Sequence, residues 1–157
     1  MRGVLFLLVC CSLAVGLAGC GGSGGNGVSK AEYQSELAKI SAQAGAAHQA
    51  VEQGAPQAAT VAQLQTLLRQ FAAAEQRIGD EVANLKVPSD AKAANAELAK
   101  GQHDDAAEIR AVLPQLAKYK TVHQAFGLLE RLGSTKGGRE GAAALAELKR
   151  LGYTPGG

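Results

Sequence analysis

The sequence predicts an all-α protein, a small antiparallel helical bundle that follows a flexible glycine-rich segment. From residue 28 onward, apolar residues recur at alternating steps of three and four, which is the spacing of one helix face. Residues that cap helix N-termini precede two of these runs. No run of β-branched residues alternates with polar ones, so we expect essentially no sheet. The pattern predicts three long helices and one or two short C-terminal helices.

The N-terminal 19 residues differ from the rest of the chain. Arg2 is followed by an uncharged apolar run from Gly3 to Gly19, which ends in the motif Leu17-Ala18-Gly19-Cys20. This motif resembles the lipobox of bacterial lipoproteins. The resemblance implies that residues 1–19 are a signal peptide, which lipoprotein signal peptidase recognises at Leu17, Ala18 and Gly19 and removes. It also implies that the thiol of Cys20 carries a diacylglycerol lipid.

Such a lipid would make the membrane a partner and would hold the protein on the extracytoplasmic face of the cell membrane. An uncleaved membrane anchor and a soluble secreted product are the alternatives. The anchor is less favoured because no Lys or Arg cluster follows the apolar run. Cleavage would remove Cys10 and Cys11 and leave Cys20 alone, so neither a disulfide nor a thiolate metal site could form within one chain.

Residues 20–27 connect the signal peptide to the helical domain, residues 28–157. After Cys20, the run Gly21-Gly22-Ser23-Gly24-Gly25-Asn26-Gly27 has few side chains to bury and predicts a flexible tether. Seven residues reach at most about 25 Å. The domain should therefore stay close to the lipid headgroups.

The first two helices are predicted to form an antiparallel hairpin. Ser29 and Glu32 form a capping box that starts the first helix, and Thr60 and Gln63 repeat this arrangement for the second. Each helix carries a seam, meaning the line of apolar residues on one face. The first seam comprises Tyr33, Leu37, Ile40, Ala44, Ala47 and Val51, and ends at Gly54-Ala55-Pro56. The second comprises Val61, Leu64, Leu68, Phe71, Ile78, Val82 and Leu85, and ends before Pro88. The short connection favours antiparallel packing.

The third helix is predicted to begin near Ser89 or Asp90, either of which can cap free backbone N–H groups. Its seam contains two polar residues, Gln102 and Asp105. The full seam is Ala91, Ala94, Leu98, Gln102, Asp105, Ile109, Val112 and Leu116. Pro114 is expected to kink or interrupt the helix, because proline lacks a donor and clashes with the preceding turn.

Two short helices follow. The fourth contains Val122, Ala125, Phe126, Leu129 and Leu132, and is stopped by Gly133. Residues 134–138 are predicted to form a loop. The last helix contains Ala142, Leu145, Leu148 and Leu151, and is stopped by Gly152. Gly45, Gly79 and Gly101 lie in the interiors of the three long predicted helices. They mark either the closest helix crossings or tolerated defects that cost about 1 kcal/mol each.

The composition limits the possible functions. The chain has 157 residues, which allows one ordinary domain. Its 16 Lys and Arg against 14 Asp and Glu exclude a nucleic-acid binder driven by a strong basic field. Hydrophobic residues make up 46% of the chain, but 31 residues are alanine and only 4% are aromatic. The core must therefore be thin and closely packed.

The densest polar group lies on the third helix. It comprises Gln102, His103, Asp104, Asp105 and Glu108. Asp104 and Glu108 share a helix face, but the spacing matches neither His-x-x-x-His nor Glu-x-x-His, so no metal site is predicted. We expect His103 to be a solvated surface residue, and His48 and His123 to be partly exposed interface residues. A role as ligand is the alternative for each histidine.

Asp105 lies on a seam, where an unpaired buried carboxylate would cost several kcal/mol. Either the bundle opens to water there or a cation reaches the carboxylate, with Arg69, Arg77 and Lys39 as candidates. A contact that sets the register between helices is the favoured interpretation. A binding pocket and an incorrectly placed seam are the alternatives.

No catalytic residue and no cofactor are predicted. The chain has no Gly-x-Ser-x-Gly motif and no glycine-rich phosphate loop after a strand. The favoured function is a non-enzymatic envelope module that contacts another envelope protein, a polymer or a second copy. The alternatives are a small-ligand or metal-binding bundle around Gln102, Asp105 and the histidines, and, less favoured, an enzyme. Residues 87–98 and 148–153 resemble segments of small helical lipoproteins of high-GC bacteria, which largely lack assigned activity. This resemblance supports the architecture and implies no site residue.

Overall fold

The computed structural model describes residues 28–154, which form five α-helices and no strand. The helices are α1 (Lys30–Gly54), α2 (Val61–Ala83), α3 (Lys92–Leu116), α4 (Val122–Leu132) and α5 (Lys136–Arg150), with a 3₁₀ turn at Ala55–Gln57. The predicted all-α bundle of three long helices and one or two short C-terminal helices is confirmed, and the described residues contain two short helices. The predicted signal peptide, the tether, and Leu17, Ala18, Gly19 and Cys20 lie outside the described residues.

The starts of α1 and α2 follow the predicted capping boxes. The Ser29 hydroxyl accepts the Glu32 N–H at 3.2 Å, and the Glu32 carboxylate accepts the Ser29 N–H at 2.9 Å. The Thr60 hydroxyl likewise accepts the Gln63 N–H at 3.2 Å, and the Gln63 amide oxygen accepts the Thr60 N–H at 3.1 Å. These reciprocal bonds satisfy donors that the first turn of a helix otherwise leaves unpaired.

The predicted cap of α3 is wrong. The helix begins at Lys92, and Ala91 at its N-cap makes no side-chain capping bond. The carboxylate of Asp90 instead accepts the phenolic hydroxyl of Tyr153 at 2.7 Å. Asp90, which the local sequence predicts as a cap, therefore binds a residue 63 positions later in the chain.

Of the kink or interruption expected at Pro114, the interruption does not occur. The helix continues through the proline and ends at Leu116, so the missing donor falls in the last turn, where it disrupts little of the helix. The nearby carbonyl of Leu113 accepts the side-chain amide of Gln65 from α2 at 3.1 Å. This contact gives the end of α3 a partner outside its own helix.

The loop predicted at residues 134–138 is shorter than expected, because α5 begins at Lys136. Thr135 is its N-cap, and its hydroxyl accepts the Gly138 N–H at 3.0 Å. The predicted seam of α5 also needs correction. Ala142 is exposed, and the buried residues of the helix are Gly137, Gly141, Ala144 and Leu148. The glycines of α5 face α3, and local hydrophobicity does not mark them as buried.

The helices pack around a central pair formed by α2 and α3. The first helix packs on α2, α5 packs on α3, and α4 contacts both central helices. The buried apolar residues form two clusters. The first core cluster comprises Tyr33, Leu37, Ile40, Ile78, Val82, Ala91, Ala94, Leu98, Ala99, Ala144, Leu148 and Tyr153. The second core cluster comprises Leu64, Leu68, Ala72, Ile109, Leu116, Ala125 and Leu128.

The glycines in the interiors of the three long helices, Gly45, Gly79 and Gly101, divide between the two predicted roles. A Cβ atom on Gly101 would lie 2.6 Å from the backbone nitrogen of Gly141, and one on Gly79 would lie 2.3 Å from the ring of His103. These two positions are close approaches between elements. A Cβ on Gly45 would meet no atom within 4 Å, so this glycine is a tolerated defect.

Candidate functional site

A pair of buried carboxyl groups lies where the two core clusters meet. Glu75 on α2 is 0% exposed, and Asp105 on α3 is 8% exposed. Along α2, Glu75 stands between Ala72 of the second cluster and Ile78 of the first. Asp105 holds the corresponding place on α3. The apolar core is therefore divided by an acidic layer.

Few contacts offset the cost of burying the polar side chain of Glu75. Neither of its carboxyl oxygens has a hydrogen-bond partner among the described residues. His48 on α1 lies nearby, with 3.4 Å between its Nε2 and Oε1 of Glu75. That distance allows an ion pair, but the two groups do not meet hydrogen-bond geometry. Burial, and secondly the nearby charge of Asp105, raise the pKa of Glu75 to about 7.

His48 lies at the protein surface, beside the acidic layer. Its side chain is 55% exposed, and its ring packs edge-on against Phe71 with 4.9 Å between ring centroids. The predicted role of His48 as a partly exposed interface residue agrees with this position. The imidazole is therefore accessible to solvent while it lies beside the buried carboxyl of Glu75.

Asp105 has one strong partner. The hydroxyl of Thr135 donates to its Oδ1 at 2.5 Å, while the same hydroxyl accepts the first-turn N–H of α5. Burial raises the pKa of Asp105, and the bond from Thr135 opposes that effect. The predicted seam position of Asp105 is confirmed, since the side chain is buried between helices.

The predicted cations are not the partners of Asp105. Lys39 pairs with Glu36 at 2.6 Å on the surface of α1, and Arg69 and Arg77 are exposed on α2. The start of α5 packs against Asp105 instead. The neutral hydroxyl of Thr135, not a cationic side chain, binds the carboxylate. Sequence spacing alone could not show this, because α5 begins about 30 residues later.

The remaining acidic residues of the predicted polar group secure α5. The carboxylate of Glu108 accepts the backbone N–H groups of Lys136 at 3.1 Å and Gly137 at 3.0 Å. A carboxylate is favoured at this helix end by the unpaired N–H groups and the helix dipole. Lys100 binds both Asp104 at 2.7 Å and Glu140 of α5 at 2.9 Å, and this ammonium lowers the pKa of Asp104. These residues act as structural contacts between α3 and α5.

The histidines do not converge on one site. His103 lies beside Asp80, with 2.9 Å between Nε2 and Oδ1, and is 36% exposed. His123 is exposed near the start of α4, and Gln102 is half-buried on α3. Within residues 28–154, no group of three or more His, Cys, Asp or Glu side chains is arranged to hold a metal ion.

Glu75 is the site residue that sequence reasoning missed. The predicted seam of α2 steps from Phe71 directly to Ile78, although the steps of three and four require a member at position 75. That gap was a usable signal, because it places a glutamate on the buried face. A seam defined by apolar residues alone leaves Glu75 out.

A shallow groove of about 440 Å³ runs between α1 and α2. Its walls are mainly small and apolar, and its lining includes Ala46, Ala47, Ala50, Leu67, Phe71 and Ala74. Arg77 is the charged residue in the lining. Separately, none of the helices in the described range has the length and apolar character of a membrane span.

Comparison of the chain with protein-family models, with curated proteins and with solved structures finds no match.

Proposed function

We propose that this protein is a non-catalytic module of the cell envelope, attached by a lipid on Cys20 to the extracytoplasmic face of the cell membrane. The order of features along the chain carries the proposal. An uncharged apolar run ends in Leu17-Ala18-Gly19-Cys20, a glycine-rich segment follows, and α1 starts at the capping box of Ser29. Only a short tether would then separate the lipid from the first rigid element.

The helical surface supports a role in contacts with another protein. The groove between α1 and α2 is apolar and open, and such concave apolar surfaces are common at binding sites. Another envelope protein or a second copy of the chain is the proposed partner. The balanced charge, 16 basic against 14 acidic residues, does not favour nucleic acid.

Cell fractionation with two cysteine variants tests the anchor. We expect the wild-type chain in the membrane fraction and Cys20→Ser depleted from it, because two or three acyl chains give stable membrane attachment. Cys11→Ser is the matched control, since it changes a cysteine within the apolar run, and it should fractionate like wild type. Equal membrane attachment of wild type and Cys20→Ser would contradict the lipid anchor.

Crosslinking in intact cells tests the interaction. A photo-crosslinking residue at Ala46, in the groove, should give a specific adduct with an envelope protein or with a second copy. The same residue at Ala143, an exposed alanine of α5, is the matched control and should not give this adduct. Equal crosslinking at both positions would count against the groove as the contact surface.

One observation favours a second candidate function, a small-ligand or metal-binding bundle. The fully buried carboxyl of Glu75 has no hydrogen-bond partner among the described residues, and a bound cation would compensate it. A melting temperature raised by several degrees by one metal or metabolite would support this function. An unchanged melt across the divalent metals, with and without chelator, would count against a metal.

A further inference from the structure

The acidic layer faces the least secured part of the first helix. We propose that Glu75 and Asp105 form a proton-operated latch: a proton held on the Glu75 carboxyl keeps residues 41–54 of α1 packed on α2, and loss of that proton releases them. The inference does not depend on the lipid anchor.

Groups on α1, α3 and α5 belong to the acidic layer. His48 of α1 lies 3.4 Å from the Glu75 carboxyl, and Asp105 of α3 is near enough for its charge to raise the pKa of Glu75. Thr135 at the start of α5 donates to Asp105 at 2.5 Å. The hydroxyl of Thr135 is thus already used, with its oxygen accepting a backbone N–H and its hydrogen bound to Asp105. The Thr135 hydroxyl therefore has no further hydrogen to donate to Glu75.

The other charged groups around the layer are bound elsewhere. Glu108 accepts two backbone N–H groups of α5. Arg110 of α3 reaches the surface of α2, where its guanidinium donates to Gln76 at 3.1 Å and to the Ala72 carbonyl at 3.4 Å. On α2 itself, Arg77 is exposed and lines the groove. Among the described residues, the half-exposed His48 is the basic side chain that lies within ion-pair distance of the Glu75 carboxyl.

A proton on Glu75 would remove the buried charge that has no hydrogen bond to stabilise it. A buried carboxylate without hydrogen bonds is strongly disfavoured, and the charge of a second buried carboxyl nearby disfavours it further. The raised pKa of Glu75 agrees with this geometry. Since the folded-state pKa lies above the ordinary value of 4.5, the protonated group contributes stability at low pH, and this contribution is lost as the pH rises through about 7.

The part of α1 that faces Glu75 is held weakly. The buried residues of α1 are Tyr33, Leu37 and Ile40, all in its N-terminal half. Tyr33 is further fixed by its hydroxyl bond to Asn95 at 2.9 Å and its edge-on contact with Tyr153. Residues 41–54 are half-buried at most. Segments with few buried contacts open at the lowest free energy, so ionisation of Glu75 should release this segment first.

Hydrogen exchange by mass spectrometry tests the latch on the full chain in mild detergent with chelator present. Protection factors of residues 41–54, corrected for the intrinsic pH dependence of exchange, should fall about tenfold or more between pH 5.5 and pH 8. Glu75→Gln mimics the protonated carboxyl and should keep its protection at both pH values. Glu81→Gln, an exposed glutamate on the same helix, is the matched control and should behave like wild type.

Glu75→Met, which replaces the carboxyl with an apolar side chain of similar size, provides a second test if the glutamine variant does not fold. It should also keep the protection of residues 41–54 at pH 8. An equal fall in protection for wild type and for the Glu75 variant would overturn the latch. A fall of equal size in α3 and α5 would also overturn it, since it would report loosening of the whole bundle.

Discussion

The carboxyl of Glu75 has the most unusual environment of any single residue described. It is fully buried, it lacks a hydrogen-bond partner among residues 28–154, and its charge would add to that of Asp105. An ordinary surface glutamate ionises near pH 4.5, whereas burial raises the pKa of Glu75 to about 7. Proton binding at this residue therefore couples to folding within the physiological range.

The first prediction concerns stability against pH. Because the folded-state pKa of Glu75 is raised, the free energy of unfolding should fall by up to about 3 kcal/mol as the pH rises from about 4.5 through 7. The carboxylates with lowered pKa, such as Asp104 and Glu140, act in the opposite direction but only in the more acidic range. Urea unfolding of wild type and of Glu75→Gln between pH 5 and pH 8 measures the fall that is due to Glu75, because the variant lacks the titrating carboxyl. A stability that rises over this interval would contradict the assignment.

A second prediction separates the two roles of Thr135. Thr135→Val should destabilise the protein by about 2–4 kcal/mol, because it removes a helix cap and leaves the buried carboxylate of Asp105 without its donor. Thr121→Val is the matched control, since Thr121 caps α4 through one bond to the Gln124 N–H. The control should cost about 1 kcal/mol in the same denaturant measurement. Equal losses would mean that the contact between Thr135 and Asp105 adds no stability.

Prediction from sequence succeeded at the residue scale where the signal was local. Asp105 was correctly placed on a buried face because it continues an unbroken spacing of three and four. Its partner Thr135 could not be found, since that contact joins residues 30 positions apart through the packing of α5. Glu75 could have been found from the gap in the α2 seam.

At the scale of elements, the α3–α5 contact depends on glycine. A Cβ on Gly101 would lie 2.6 Å from the backbone nitrogen of Gly141, and a Cβ on Gly137 would lie 2.2 Å from that of Asp105. Both clashes are with backbone atoms, which cannot move aside as a flexible side chain can. The glycines therefore set how closely the two helices approach, and this approach brings Thr135 to the acidic layer.

The third prediction tests this close approach with two identical substitutions. Gly101→Ala should destabilise the bundle by about 1–3 kcal/mol, because the new methyl group overpacks the contact with α5. Gly45→Ala should instead stabilise it by about 0.5–1 kcal/mol, since its Cβ meets open space and alanine favours the helix. Denaturation midpoints measured side by side give the sign of each effect. Destabilisation by Gly45→Ala, or none by Gly101→Ala, would contradict the packing described.

At the scale of elements, too, features set by local contacts were predicted correctly, and features set by distant contacts were not. The starts of α1 and α2 were predicted because both capping boxes lie within four residues. The start of α3 was not, because Tyr153 binds the expected cap Asp90 from the other end of the chain. The buried face of α5 was also missed, since glycine contributes little to a hydrophobic pattern even where it is buried.

At the scale of the whole molecule, two apolar clusters are joined through a polar layer rather than merged into one core. With aromatic residues at 4% of the chain, each cluster consists mostly of leucine, alanine and a few larger side chains. The apolar groove between α1 and α2 lies on the outside of this bundle. A short tether to a lipid would present that surface close to the membrane.

The attachment itself is the central claim, and intact-mass spectrometry of the protein extracted from membranes tests it most directly. We predict a mass that corresponds to residues 20–157 with a diacylglycerol group on Cys20 and, in addition, an acyl group on the new amino terminus. Fragmentation should place the added mass on Cys20. An unmodified Cys20, or a chain that retains the Met1 segment, would contradict the account.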